Sequence, residues 1–145
     1  MREILFRGKT EDGEWVYGSP IFQDGYVLIR FWNSEEFEFE EYLVIPETIS
    51  EFTSLTDKNG KKIFEGDIVV DVGCSPEYQS PRVVCYGTGT FDSGVYKYTG
   101  FVAMLPDGDA ECGEMTSAYV DKDNCPIGWE IIGNIHDNPE LLKGE

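Results

Sequence analysis

The sequence is poor in the side chains from which most catalytic and metal centres are built. A single histidine, His136, stands in 145 residues, so any serine or cysteine triad would have to use it as its base. Its place beside Asp137, next to an expected terminal turn, reads as an ordinary turn or surface residue. Four cysteines, Cys74, Cys85, Cys112 and Cys125, lie far apart with no C-x-x-C pair. That spacing argues against a zinc set and for reduced thiols in place of a disulfide framework.

Basic residues are also scarce, 11 against 28 acidic ones for a net charge of −17. The balance argues against direct binding to nucleic-acid phosphates or anionic lipid and leaves a basic protein as a suitable partner. No apolar run approaches the roughly 18 to 20 residues that span a bilayer, and Ile4, Leu5 and Phe6 fall short of the about 7 to 15 apolar residues of a signal peptide. The expectation is a cytoplasmic protein with no membrane contact.

Turn signals and strand-forming residues are abundant. Asp12-Gly13, Asp24-Gly25, Asn59-Gly60, Glu65-Gly66, Gly87 to Gly89, Ser93-Gly94, Asp107-Gly108 and Ile127-Gly128 punctuate the chain about every ten residues, the rhythm of short strands. Between them stand β-branched and aromatic segments such as Tyr26 to Trp32, Phe37 to Ile45, Ile68 to Val72 and Trp129 to Ile135. The prediction is a mainly β protein of short antiparallel strands. Residues 1–50 form an N-terminal strand-rich acidic part, and residues 51–145 form a small barrel-like or curved sheet that either stands apart or packs into one unit with the first. One or two short helical turns are expected, at Asn138-Pro139 to Leu142 and around Glu47 to Phe52. Trp15, Trp32, Phe64, Ile68, Val69, Phe101, Trp129 and Ile131 are the expected core.

The stretch Thr56 to Val70, TDKNGKKIFEGDIVV, concentrates polar residues between apolar runs. As a calcium loop it fails at the third ligand, where Lys61 would oppose the ion, and a start at Asp121 fails at Cys125-Pro126. It reads better as a hairpin turn followed by a glycine reversal. Gly8-Lys9-Thr10 imitates the end of a phosphate-binding loop, but Glu3 stands where the first glycine belongs. Gly87-Thr88-Gly89 lacks the third glycine and the helix that dinucleotide binding needs.

Residues 11–51 hold eleven acids against Arg30 alone. Within them, Glu36, Glu38 and Glu40 alternate with Phe37 and Phe39, so a strand would send the aromatics to one face and the acids to the other. These three glutamates are the candidate interaction surface, either a solvated face or a mimic of nucleic-acid phosphates. Mimicry would need neighbouring strands, because alternate strand residues repeat at about 6.8 Å and one DNA strand offers a phosphate per about 3.4 Å.

Three segments, Met1 to Arg7 (MREILFR), Thr56 to Val69 (TDKNGKKIFEGDIV) and Ile132 to Leu142 (IGNIHDNPELL), resemble in content and order the YopX family of phage and prophage proteins. The resemblance implies a mainly β structure and a mobile-element setting in a host bacterium, without an established activity, and it carries over no catalytic residue. Family members often read Tyr-Thr-Gly-Leu where this chain has Phe52-Thr53-Ser54-Leu55. The expected function is therefore a non-enzymatic binding or assembly protein of a phage, with a protein partner, self-association as one form of assembly, and no cofactor. Two alternatives are a DNA mimic acting on a host nucleic-acid-binding protein and an enzyme using Asp57, Glu65 and Asp67 with a divalent ion.

Overall fold

The structure, a computed structural model, describes residues 2–73, 75–91, 96–107 and 128–143. Its strands are β1 (Phe6–Lys9), β2 (Trp15–Gln23), β3 (Tyr26–Asn33), β4 (Glu38–Thr56), β5 (Lys62–Phe64), β6 (Asp67–Asp71), β7 (Arg82–Phe91), β8 (Tyr96–Met104) and β9 (Trp129–Asn134). Helical structure among the described residues is limited to single 3-10 turns at Pro76–Tyr78 and Pro139–Leu142. The protein is mainly β, as the turn spacing predicts. The turn expected at Ser93-Gly94, the Gly108 position, Asp121 and the cysteines Cys74, Cys112 and Cys125 lie outside the described residues.

The chain divides into two compact units, Met1–Phe52 and Thr53–Glu145. In the first, β1 pairs antiparallel with both β2 and β4, and β3 does the same, so the four strands close a hydrogen-bonded ring. Closure requires β2 and β4 to change partner midway. Residues 15–18 of β2 face β1 and residues 19–23 face β3, with Gly18 at the change. A Cβ at Gly18 would run into the Arg30 carbonyl oxygen, so only glycine lets the strands approach this closely. The ring encloses Val27, Ile29 and Val44, with Phe6, Val16 and Ile49 packed against them.

The short helical turn expected around Glu47 to Phe52 is not formed, and those residues continue β4. Thr48 and Ser50, which look like helix caps in the sequence, are buried polar residues with internal partners. The Thr48 hydroxyl accepts from Lys9 N at 2.8 Å and donates to Ile45 O, and the Ser50 hydroxyl accepts from Arg7 Nε at 3.1 Å. Arg7 is itself buried, its guanidinium 4.6 Å from the centre of the Trp15 ring. Trp15 is accordingly half-buried beneath a cation, and Trp32 is an exposed residue, so neither belongs to an apolar core as expected.

In the second unit the sheet runs in the order β8-β7-β6-β9. Leu55, Ile63, Val69, Val84, Phe101, Ala103 and Trp129 form its core, with Ile131 packed alongside. Burying each large apolar side chain contributes about 1.5 to 3 kcal/mol before ordering costs. A barrel-like or curved sheet was expected in this part of the chain, and the closed ring of strands lies instead before residue 52. Gly87-Thr88-Gly89, expected to break the chain, runs inside β7, where Gly87 faces Gly100 and the Thr88 and Thr99 hydroxyls meet at 2.9 Å.

Ser54 has φ +74°, a left-handed conformation that suits glycine, at the position where the resembling family often carries Gly. Ser54→Gly is expected to raise the unfolding free energy by up to about 1 kcal/mol, the relieved strain exceeding the added entropy of the unfolded chain. Urea denaturation checks it: the midpoint rises and the slope stays unchanged.

Candidate functional site

The stretch TDKNGK turns between β4 and β5 around Asp57, whose side chain is fully buried. Its Oδ1 accepts from Asn59 N at 2.8 Å and Lys61 N at 3.0 Å, which shapes the turn, and Gly60 follows at φ +82°. Its Oδ2 accepts from Ile131 N of β9 at 3.1 Å, while Lys58 N donates to Trp129 O at 2.9 Å. The carboxylate is thus occupied by three backbone N–H groups from two segments far apart in sequence. These bonds satisfy a buried acceptor and tie the turn to β9.

Asp67 is also buried, and its Oδ2 accepts from Phe64 N at 2.7 Å across the Glu65-Gly66 turn. Gly66 N donates to Val84 O and Gly66 O accepts from Ile135 N, joining this turn to β7 and to the end of β9. There Asn134 Oδ1 accepts from His136 N and Asp137 N, and Asn138 Oδ1 accepts from Asn134 N. A Cβ at Gly133 would meet the Asn138 side chain at 2.6 Å. The polar residues of the middle and last motifs therefore shape the backbone.

Asp57, Glu65 and Asp67 do not assemble a metal centre: among the described residues no group of three or more His, Cys, Asp or Glu side chains is placed to hold an ion. Cys85 is free, and burial, aided by the charge of Glu65, pushes its thiol above the ordinary range. A thiol so protonated at neutral pH is a poor nucleophile. Leu141 and Leu142, in the terminal 3-10 turn, line a cavity of about 390 Å³ with Ser80, Pro81, Leu105 and Pro106; among the described residues Asp107 is the one ionisable group on its wall. No helix among the described residues is long and apolar enough to cross a membrane.

The tip of the β3–β4 hairpin offers a different chemistry. Strand alternation sends Val27, Ile29 and Val44 into the ring and sends the pairs Leu28–Leu43, Arg30–Glu41 and Trp32–Phe39 to the opposite, outward face. Phe37 and Phe39, expected on the buried face of a strand, are 81% and 56% exposed, and Trp32 is 49% exposed. The Trp32 ring meets Phe39 edge-on at 5.0 Å and Phe37 edge-on at 6.0 Å. The Arg30 guanidinium lies 4.1 Å from the centre of the Phe39 ring, with Glu41 Oε1 3.8 Å from its Nε.

Of the three candidate glutamates, Glu38 and Glu40 stand on β4 and Glu36 in the turn before it. Glu40 is half-buried and accepts from Asn33 Nδ2 at 3.2 Å, while Glu36 and Glu38 are exposed. Asn33 Oδ1 accepts from Glu35 N and Glu36 N, forming the turn. Sequence reasoning passed over Asn33, which was legible as a turn-forming asparagine ahead of Ser34, and assigned Trp32 to the core instead of this surface.

Phe37 has φ +53°, a conformation that costs a bulky residue about 1 to 2 kcal/mol, and its exposed ring recovers little by burial. Phe37→Asn is therefore expected to stabilise the protein by about 0.5 to 1 kcal/mol, because asparagine visits this region readily. Asp57→Ala is expected to destabilise it by about 3 kcal/mol or more, since three N–H groups lose a charged acceptor. Thermal and urea unfolding of the two variants, moving in opposite directions, check both.

Comparison with known proteins bears on the fold and the family. The crystal structure of protein EF1440 from Enterococcus faecalis is similar over 99% of this chain and 100% of that chain, with a TM-score of 0.51 and 24% sequence identity, a likeness of fold. No curated protein matches. The family described as YopX protein matches residues 5–143, nearly the whole length. That range takes in the strand β1, the Asp57 turn that reaches β9 and the final strand with its closing turn, and the chain belongs to the YopX family.

Proposed function

We propose that this is a phage or prophage accessory protein that acts in the bacterial cytoplasm by binding or assembly, without catalysis. The observation that carries the reading is the exposed Trp32, Phe37 and Phe39 cluster on the β3–β4 hairpin, with Phe37 held there at a cost in backbone strain. Exposed aromatics of this kind supply large contact area at low entropic cost in protein interfaces. The polar groups that looked chemical, Asp57 and Asp67, are engaged with backbone N–H groups.

The partner is a protein, and the net charge of −17 favours a basic one and disfavours nucleic acid or an anionic membrane. Mimicry of nucleic acid draws less support, because Glu40 is drawn to Asn33 while the aromatics beside Glu36 and Glu38 are the more exposed feature. Affinity capture from host lysate on the immobilised chain is expected to retain a basic protein that is lost with Phe37→Asn. An empty capture, together with a strictly monomeric protein by light scattering, would sink the reading.

A further inference from the structure

We infer that the hairpin tip receives a cationic side chain, lysine or arginine, presented by an amphipathic basic segment of another protein. The inference rests on the binding reading above and names the chemistry of its partner.

Aromatic ring faces carry the negative end of the ring quadrupole and attract ammonium and guanidinium groups. The two edge-on contacts of Trp32 set ring faces at steep angles, 84° to Phe37 and 71° to Phe39, so the tip has walls in more than one direction. Arg30 already rests on Phe39 at 4.1 Å, which demonstrates the interaction on this surface. A partner's cation then has Trp32 and Phe37 to approach. Glu35, Glu36 and Glu38 are exposed around the same turn and add a negative field.

The apolar component comes from the same outward face, where Leu43 is 53% exposed on the strand that carries Phe39. Cation with apolar neighbours is the composition of a basic amphipathic segment. A second copy of this chain is the wrong occupant on charge: residues 11–51 hold eleven acids against Arg30, and two such surfaces repel. Phe37 supplies the independent argument. An aromatic ring kept at φ +53° on an exposed turn gains an edge-on contact with Trp32 but little burial, which directs attention to what it contacts outside the molecule.

The test uses the full chain and a short fluorescent peptide of leucine and lysine patterned as an amphipathic helix, titrated at physiological ionic strength. Saturable binding is expected, weakened roughly tenfold or more by Phe37→Asn and by glutamine in place of the peptide lysines, as for truncation of an interface anchor. Glu11→Gln with Glu14→Gln, on the β1–β2 turn, should leave it unchanged. Because Phe37→Asn is expected to stabilise the fold, a loss of binding cannot be ascribed to unfolding, and circular dichroism confirms the point.

Four outcomes overturn the inference: no saturable binding, equal binding by Phe37→Asn, equal binding of the glutamine peptide, or a dimer in light scattering that Phe37→Asn abolishes. A lysate partner that depends on Phe37, coupled with no peptide binding, would remove this inference alone and leave the proposed function standing. Failure of both experiments removes both.

Discussion

The second unit depends on one buried carboxylate. Asp57 gives one oxygen to its own turn and the other to β9, so the turn cannot form correctly without also setting the place of a strand more than seventy residues away. Local turn chemistry and long-range pairing are satisfied by the same two atoms. That economy is feasible because a carboxylate accepts in several directions at once, whereas a backbone carbonyl at the same place would be fixed by its peptide plane. In the neighbouring Glu65-Gly66 turn the work is divided: Asp67 closes the turn on Phe64 N, and the Gly66 backbone reaches β7 and the segment after β9.

These contacts explain what the sequence disclosed and what it concealed. The turn at Asn59-Gly60 and the reversal at Gly66 were legible because asparagine and glycine announce positive φ, and the β-branched and aromatic runs of β6 and β9 announced strands. The extension of β4 through residues 47–52 was not legible. Thr48 and Ser50 have their hydrogen-bond partners on β1, some forty residues earlier, and a polar residue with a distant partner looks in sequence like one that faces water or caps a helix. Trp32 failed in the opposite sense: its size predicts burial, but β3 and β4 run past the ring's core at that end, and alternation there selects the outward face.

The candidate surface was half legible. Residues 36 to 40 drew attention through their acids, and the structure retains Glu36 and Glu38 as an exposed rim, yet the feature with specific geometry is the trio of rings between and beside them. No rule of alternation could have exposed Phe37 and Phe39 together, because that depends on where the hairpin ends relative to the core. Nor could it have revealed a left-handed phenylalanine. Ser54 shows the same left-handed conformation in the other unit at a half-buried position, so strain alone does not mark a surface; strain combined with an outward ring does.

The pairing of the β4–β5 turn with β9 has a further consequence for how the protein behaves in a crowded cell. A strand at the end of a sheet ordinarily offers a row of unpaired donors and acceptors on which another chain can crystallise its own strand. Here Ile131 N and Trp129 O, on the strand that ends the second sheet, are already taken by Asp57 and Lys58. The turn serves as a permanently attached stopper, and sheet growth by recruitment of foreign strands is blocked along that stretch.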